Sequence, residues 1–424
     1  MSFHASSFRL SAPHDHSRLT AQPNKESMIF RQPFKCNTCD THYIARIQIG
    51  YADRQEHIIN CDKCNEPMTL RLNLDQKNAG VEFGACENIS FIDEQDGKPI
   101  YMSSDFAADG SKINNPFYFG SLEFMRDAAA AHVRRAGESI SPQFPSVVPM
   151  AIAPVWDRLK KIWRLDSVKR YDISAPLKSE FARLYDIPDS NLDDLLYWFI
   201  RTIFDNKSTL IPEAKLAIEK KEEEFKRFLH YYSCDLKEHH WRSYFDIFSQ
   251  FFDAFDQFSQ VIIYTRNGIR LPKDAKVTST NFDKTKKFYA SAYEFYAGAI
   301  EMLTEINNIL SGRAFDKLSA IDLKSFVKTD KAQRRNSLAT NTAFTDASKE
   351  FDHQIRNASF HNWFYLLGDN TTIEYRSGGT GEAHQLPYIE YVLKCTRLFH
   401  QICELLILEL FLGHLRREWA LVTR

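Results

Sequence analysis

Phe351-Asp-His-Gln-Ile-Arg-Asn-Ala-Ser-Phe-His361 is the stretch on which the reading of this chain turns. Its kernel is Arg356-Asn357-Ala-Ser-Phe-His361, set in a Leu- and Phe-rich segment of helical periodicity. On a helix, residues four apart share a face. That places His353, Asn357 and His361 in one stripe and Asp352 beside Arg356. Arg356 and His361 are five apart, about 140° around the axis. They converge only if the helix ends or bends near Ser359, or if two chains bring their copies together.

The residue types suit phosphodiester chemistry without a metal. Cleaving RNA requires that the 2′-hydroxyl lose a proton, that the leaving 5′-oxygen gain one, and that the phosphorane charge be stabilised. Histidine transfers protons near neutrality. Arginine offers a permanent charge and a planar fork for phosphate oxygens. Asparagine can orient the imidazole or donate to phosphate. The alternatives are a surface pair between Arg356 and Asp352, and His361 as a cap at a helix end.

Working outward, a helix is expected to begin near Thr345 and run through Phe351 and Ile355 into the motif. After Phe364-Tyr-Leu-Leu367 a small hairpin is expected at Thr372–Arg376, then a long helix from about Pro387 to Ala420. Upstream, Ser279 or Asn281 caps a helix carrying Phe288, Tyr289, Tyr293, Tyr296, Ile300 and Leu303. Between them Lys328, Lys331, Arg334 and Arg335 form a positive run broken only by Asp330, an arm for phosphate contact or simply a solvated loop. Further back, Phe245, Phe248, Phe251, Phe252, Phe255 and Phe258 recur at helical spacing. Their spacers Asp246, Asp253 and Asp256 would repel a nucleic-acid backbone, so the stripe is core. His239-His240 beside Glu238 is a weak metal hint. Ser190 or Asn191 caps another helix, and Pro142, Pro145 and Pro149 mark a junction.

Near the N-terminus, Cys36-Asn-Thr-Cys39 and Cys61-Asp-Lys-Cys64 are separated by 21 residues. Two Cys-x-x-Cys knuckles aim four thiolates at one tetrahedral Zn²⁺, a closed and therefore structural site. The intervening segment alternates and is expected to form a hairpin between the knuckles, with Met68–Leu74 as a further strand. The pattern is that of a zinc ribbon. His42 and His57 are close enough in sequence to compete as ligands, and Cys86 lies outside the pattern. Residues 1–28 are polar and aperiodic, a mobile tail.

The chain of 424 residues can bury more than one core, and its 44% hydrophobic and 26% charged residues are globular values. A net charge of -1 points to no nucleic-acid or membrane partner by itself, so any such binding must come from a local patch. The first thirty residues contain no apolar run, so no secretory leader is expected. Ile402–Leu412 is short and holds Glu404 and Glu409, a buried helix rather than a membrane span. Four of eight cysteines at metal-ligand spacing fit a reducing cytoplasm.

The Arg356-Asn357-x-x-x-His361 pattern resembles the Arg-x(4–6)-His motif of the HEPN superfamily, in which a polar residue often follows the arginine. The aromatics Trp363, Phe364 and Tyr365, the polar loop after them and the long C-terminal helix agree with it. The resemblance covers residues of about 280 to 424. It implies a HEPN-like helical bundle and a metal-independent endoribonuclease that leaves 2′,3′-cyclic phosphate and 5′-hydroxyl ends. It also implies a composite site in a homodimer, and often a toxin or anti-phage defence role. By resemblance Arg356, Asn357 and His361 are the catalytic residues, with His353 and Asp352 as helpers. The expected organisation is mostly α with a small β zinc-ribbon N-terminal domain: tail 1–28, zinc ribbon 29–135, helical middle domain 136–277, HEPN-like bundle 278–424. The N-terminal part would sense a protein or nucleic-acid trigger. Two other readings stay open: a non-catalytic HEPN interaction module, and a nucleic-acid-binding regulator working through its ribbon.

Overall fold

The structure, a computed structural model, describes residues 29–50, 52, 54–75, 80–136, 151–188, 191–204, 208–360, 363–376 and 381–422. The tail at 1–28, the Pro142, Pro145 and Pro149 junction, Ser190 and His361 lie outside the described residues.

The N-terminal unit is β-rich. Its strands are β1 (Ile29–Cys36), β2 (His42–Gln48), β3 (Arg54–Asn60), β4 (Pro67–Asp75), β5 (Gly80–Phe83), β6 (Ile89–Phe91), β7 (Lys98–Ser103) and β8 (Ala108–Asp109). One sheet has the order β6-β1-β2-β7 and another β3-β4-β5. The hairpin expected between the knuckles is not formed, because β2 and β3 lie in different sheets. The reversals fall at the knuckles themselves. Lys35 opposes His42 across the first turn, and Asn60 opposes Pro67 across the second. The residue after each second cysteine takes a left-handed conformation, Asp40 at φ 54° and Asn65 at φ 62°. Asn and Asp tolerate that region better than most side chains. Alternation in the sequence revealed the strands but not their partners.

The helical body follows: α1 (Gly120–Ala136), α2 (Ile152–Ser167), α3 (Tyr171–Leu184), α4 (Leu192–Ile203), α5 (Leu210–Lys220), α6 (Glu222–Tyr231), α7 (Lys237–Asp253) and α8 (Phe255–Asn267). A π-helical turn at Tyr232–Leu236 joins α6 to α7. Strand β9 (Ala275–Lys276) pairs with β8 and so ties the body back to the β unit. The rest comprises α9 (Phe282–Leu310), α10 (Leu323–Val327), α11 (Lys331–Arg334), α12 (Thr342–Ala347), α13 (His353–Phe360), β10 (Phe364–Leu366), β11 (Thr372–Arg376), β12 (Ala383–Pro387) and α14 (Tyr388–Val422). Strands β10-β11-β12 form a small antiparallel sheet, so the expected hairpin strand is the middle of three.

Local chemistry explains most boundaries. Asn191 accepts from Asp194 N at the start of α4, and Asn281 accepts from Lys284 N at the start of α9. The helix expected to enter the motif from Thr345 is in fact two. Asn341 caps α12, and Asp352 Oδ1 accepts from the amides of Gln354 and Ile355 to begin α13 afresh. The motif helix is therefore short, and its stripe among the described residues is His353 and Asn357.

One apolar core runs from Ala107 to Leu412 and takes in both helical segments. The ring of Phe251 on α7 stacks on Phe399 of α14 at 3.7 Å and on Phe258 of α8 at 4.5 Å. The aromatic stripe is thus core, and packing is continuous across the 277/278 boundary. Helix α14 is long and apolar enough to cross a membrane by length and composition, but 83% of its most apolar window is buried inside the protein. At its centre Glu409 is bonded to His240 Nδ1 (2.7 Å), Tyr244 (2.9 Å) and Tyr232 (2.5 Å), so His240 serves the core. Burial opposes the imidazolium, yet the Glu409 charge raises its pKa.

Candidate functional site

The four knuckle cysteines converge: their sulfurs all lie within 4.8 Å of one another. Cys36 Sγ is 3.7 Å from Cys64 Sγ, and Cys39 Sγ is 3.5 Å from Cys61 Sγ. A tetrahedral ion with metal–sulfur bonds of about 2.3 Å needs edges of about 3.8 Å, so the set fits a metal of zinc type. Surrounding groups orient the sulfurs. Tyr43 OH lies 3.1 Å from Cys61 Sγ, and Thr41 Oγ1 lies 3.1 Å from Cys39 Sγ. His42 instead faces Glu94 at 3.4 Å, and buried His57 bonds Gln55 and Thr278, so neither joins the cluster. Cys86 packs half-buried against the same β core.

The second candidate site is built on α13 and α9. Arg356 does not pair with Asp352. Its Nε donates to Glu294 Oε1 at 2.7 Å, and its Nη1 donates to Asn357 Oδ1 at 2.9 Å. Lys331 donates to the other Glu294 oxygen at 2.6 Å. Burial alone would raise the Glu294 pKa, but the Lys331 and Arg356 hydrogen bonds and charges hold it below the usual carboxylate range. Asp352 faces Lys394 of α14 at 3.4 Å, and its backbone carbonyl accepts from the Arg356 amide at 3.2 Å. Beside them Tyr293 is buried under Phe351, rings 4.2 Å apart, and burial pushes its phenol pKa up. The Tyr293 hydroxyl has no hydrogen-bond partner among the described residues.

The expected catalytic pair Arg356 and Asn357 is thus brought together, with Asp352 at the helix start and His353 exposed at its first turn. His361 lies outside the described residues. Between Phe360, the end of α13, and Phe364, the start of β10, the chain passes from helix to strand. The basic run divides. Lys328 and Arg335 are exposed, and Lys331 serves Glu294. Arg334 is 7% exposed, and its guanidinium is bound to the carbonyls of Ala297 and Val327. It braces α9 and is withdrawn from any phosphate arm. Sequence reasoning missed Glu294, Tyr293 and Lys394. Each is held to the motif by tertiary packing, and no local pattern marks it.

Comparisons with protein-family models, with curated proteins and with solved structures find no match to this chain.

Proposed function

We propose that the C-terminal helical region is a metal-independent endoribonuclease of HEPN type, and that a zinc-bearing N-terminal unit regulates or targets it. The observation that carries this reading is the presentation of Arg356 and Asn357 side by side on α13, in a chain that is helical to Phe360 and a strand from Phe364. A change from helix to strand within this stretch suits a five-residue spacing if arginine and histidine are to act on one phosphate. Glu294 positions the guanidinium.

In this mechanism His361 takes the proton from the 2′-hydroxyl, whose oxygen attacks phosphorus. The bond from phosphorus to the 5′-oxygen breaks, and that oxygen takes a proton from the protonated His361 of the second copy. Arg356 stabilises the charge on the phosphorane oxygens, and Asn357 orients the reacting groups. A second copy of the chain completes the site, so the active species is a homodimer. The four cysteines hold a structural Zn²⁺ in a reducing cytoplasm. A toxin or anti-phage role fits an RNA-cleaving protein with a separate sensing unit.

The test is incubation of purified protein with RNA in EDTA. Wild type cleaves, R356A and H361A do not, and expression slows growth only when His361 is intact. Uncut RNA with equal growth of all three strains overturns the proposal. A second reading, a non-catalytic interaction module, is favoured by the engagement of Arg356 with Glu294. It predicts that loss of Arg356 changes stability and nothing else.

A further inference from the structure

We propose that the outer face of the β10–β11 hairpin is a stacking platform for single-stranded RNA, with Trp363 and Tyr365 as its base-contacting residues. The proposal rests on the reading of the neighbouring motif as an RNA site and names how substrate is held there.

Alternation decides the face. Phe364 is 2% exposed and faces the core, whereas Trp363 and Tyr365 on either side of it are 38% and 39% exposed. Of six tryptophans, Trp363 alone is exposed. The ladder continues through it, since Arg376 N donates to Trp363 O at 3.0 Å while Tyr365 opposes Glu374. Two residues along a strand span about 6.7 Å. That is about twice the 3.4 Å spacing of stacked bases, so one base fits between neighbouring rings. Base-on-aromatic stacking of this kind is tolerant of sequence.

Charge around the rings is mixed, with Glu374 opposite Tyr365 and Arg376 opposite Trp363. The Arg376 guanidinium lies 5.8 Å over the Trp363 ring, where it can reach a phosphate beside the stacked base. Tyr365 also lines an open groove of about 550 Å³ between β3 and the start of α9. Lys286, Asn281, Glu56 and Asp283 line the same groove. The acidic groups can accept from exocyclic base amines, and Lys286 offers a cation to the backbone. The core of a protein–protein interface is depleted of such charges, which argues against a second copy as the occupant. Trp363 lies two residues after His361 in the sequence, which ties this face to the motif.

The test uses the full chain and a fluorescein-labelled 2′-O-methyl oligoribonucleotide, which has no free 2′-hydroxyl and cannot be cut. Fluorescence anisotropy should show W363A/Y365A binding about tenfold or more weakly than wild type, with W363F/Y365F within about threefold. The Phe variant keeps the rings and reports that the fold is intact. The proposal is overturned by equal binding of wild type and W363A/Y365A, by no binding of wild type, or by a duplex that binds as tightly as the single strand. Loss of a dimer in sedimentation by W363A/Y365A, with oligonucleotide affinity unchanged, overturns it too and assigns the face to a second copy. Aromatic-dependent binding without any cleavage of RNA keeps the platform and sinks the nuclease reading. Cleavage with unchanged KM in W363A/Y365A keeps the nuclease and sinks the platform.

Discussion

His57 of the β unit that carries the four-cysteine cluster and Thr278 of the helical body meet side chain to side chain, Nδ1 to Oγ1 at 3.0 Å, in a fully buried contact. The Thr278 hydroxyl donates to the Ser103 carbonyl at 2.9 Å, and the Thr278 backbone carbonyl accepts from Ile58 N at 2.8 Å. One threonine therefore joins β3, β7 and the approach to α9. Removing only the hydroxyl, in T278V, leaves its buried polar partners at Ser103 and His57 unpaired. Urea unfolding should show a loss of about 1–3 kcal/mol, with T278S much closer to wild type. An unchanged midpoint in T278V would mean that the two units do not depend on this contact.

The same junction makes the cysteine cluster matter beyond the β unit. Asn60, the residue before Cys61, donates to Gly368 O at 3.0 Å and accepts from Asn370 Nδ2 at 3.0 Å, in the loop between β10 and β11. Purified protein should carry about one zinc per chain, and C36S and C61S should lose it together with thermal stability. Equal zinc content in wild type and both variants would refute the ligand assignment.

On α14, His400 and Glu404 lie one turn apart, and burial shifts both toward neutrality, His400 down to about 4 and Glu404 up to about 7. A carboxyl whose pKa rises on folding from its ordinary 4.5 contributes stability that is complete below 4.5 and is lost as pH rises through 7. E404Q should match wild type at pH 5 and exceed it at pH 8 by about 1–3 kcal/mol, read from urea unfolding at both pH values. Equal differences at the two pH values would contradict the shift.

Glu294 and Arg356 form a part-exposed pair, with side chains 28% and 30% accessible. Solvent screening limits such a pair. A double-mutant cycle with E294Q and R356A should give a coupling of about 0.5–1.5 kcal/mol that shrinks in high salt. Additive effects would show that the contact does not position the guanidinium.

Features governed by neighbours in sequence were legible before the fold. The two Cys-x-x-Cys turns aim their thiols by local geometry, and Asn191 and Asn281 cap the helices they precede. The aromatic stripe of α7 and α8 is core, as its period implies. What failed depended on pairing through space. Alternation between the knuckles marks two strands but cannot say that each pairs away from the other. Glu294 stands 62 residues from Arg356, and only the packing of α13 on α9 joins them. Asp352 looked like a partner for Arg356, yet it ends the preceding turn, begins α13 and faces Lys394. Arg334 looked like part of a basic arm, but the turn after α11 folds it inward.

The most direct test of the central claim is the chemistry of the cut ends. A defined single-stranded RNA, incubated with the full chain in EDTA and resolved by mass spectrometry, should yield fragments with 2′,3′-cyclic phosphate and 5′-hydroxyl termini. No such fragments should appear with R356A or H361A. Intact RNA with the wild-type protein, or fragments that persist in both variants, would contradict the assignment of Arg356, Asn357 and His361 to a metal-free ribonuclease site.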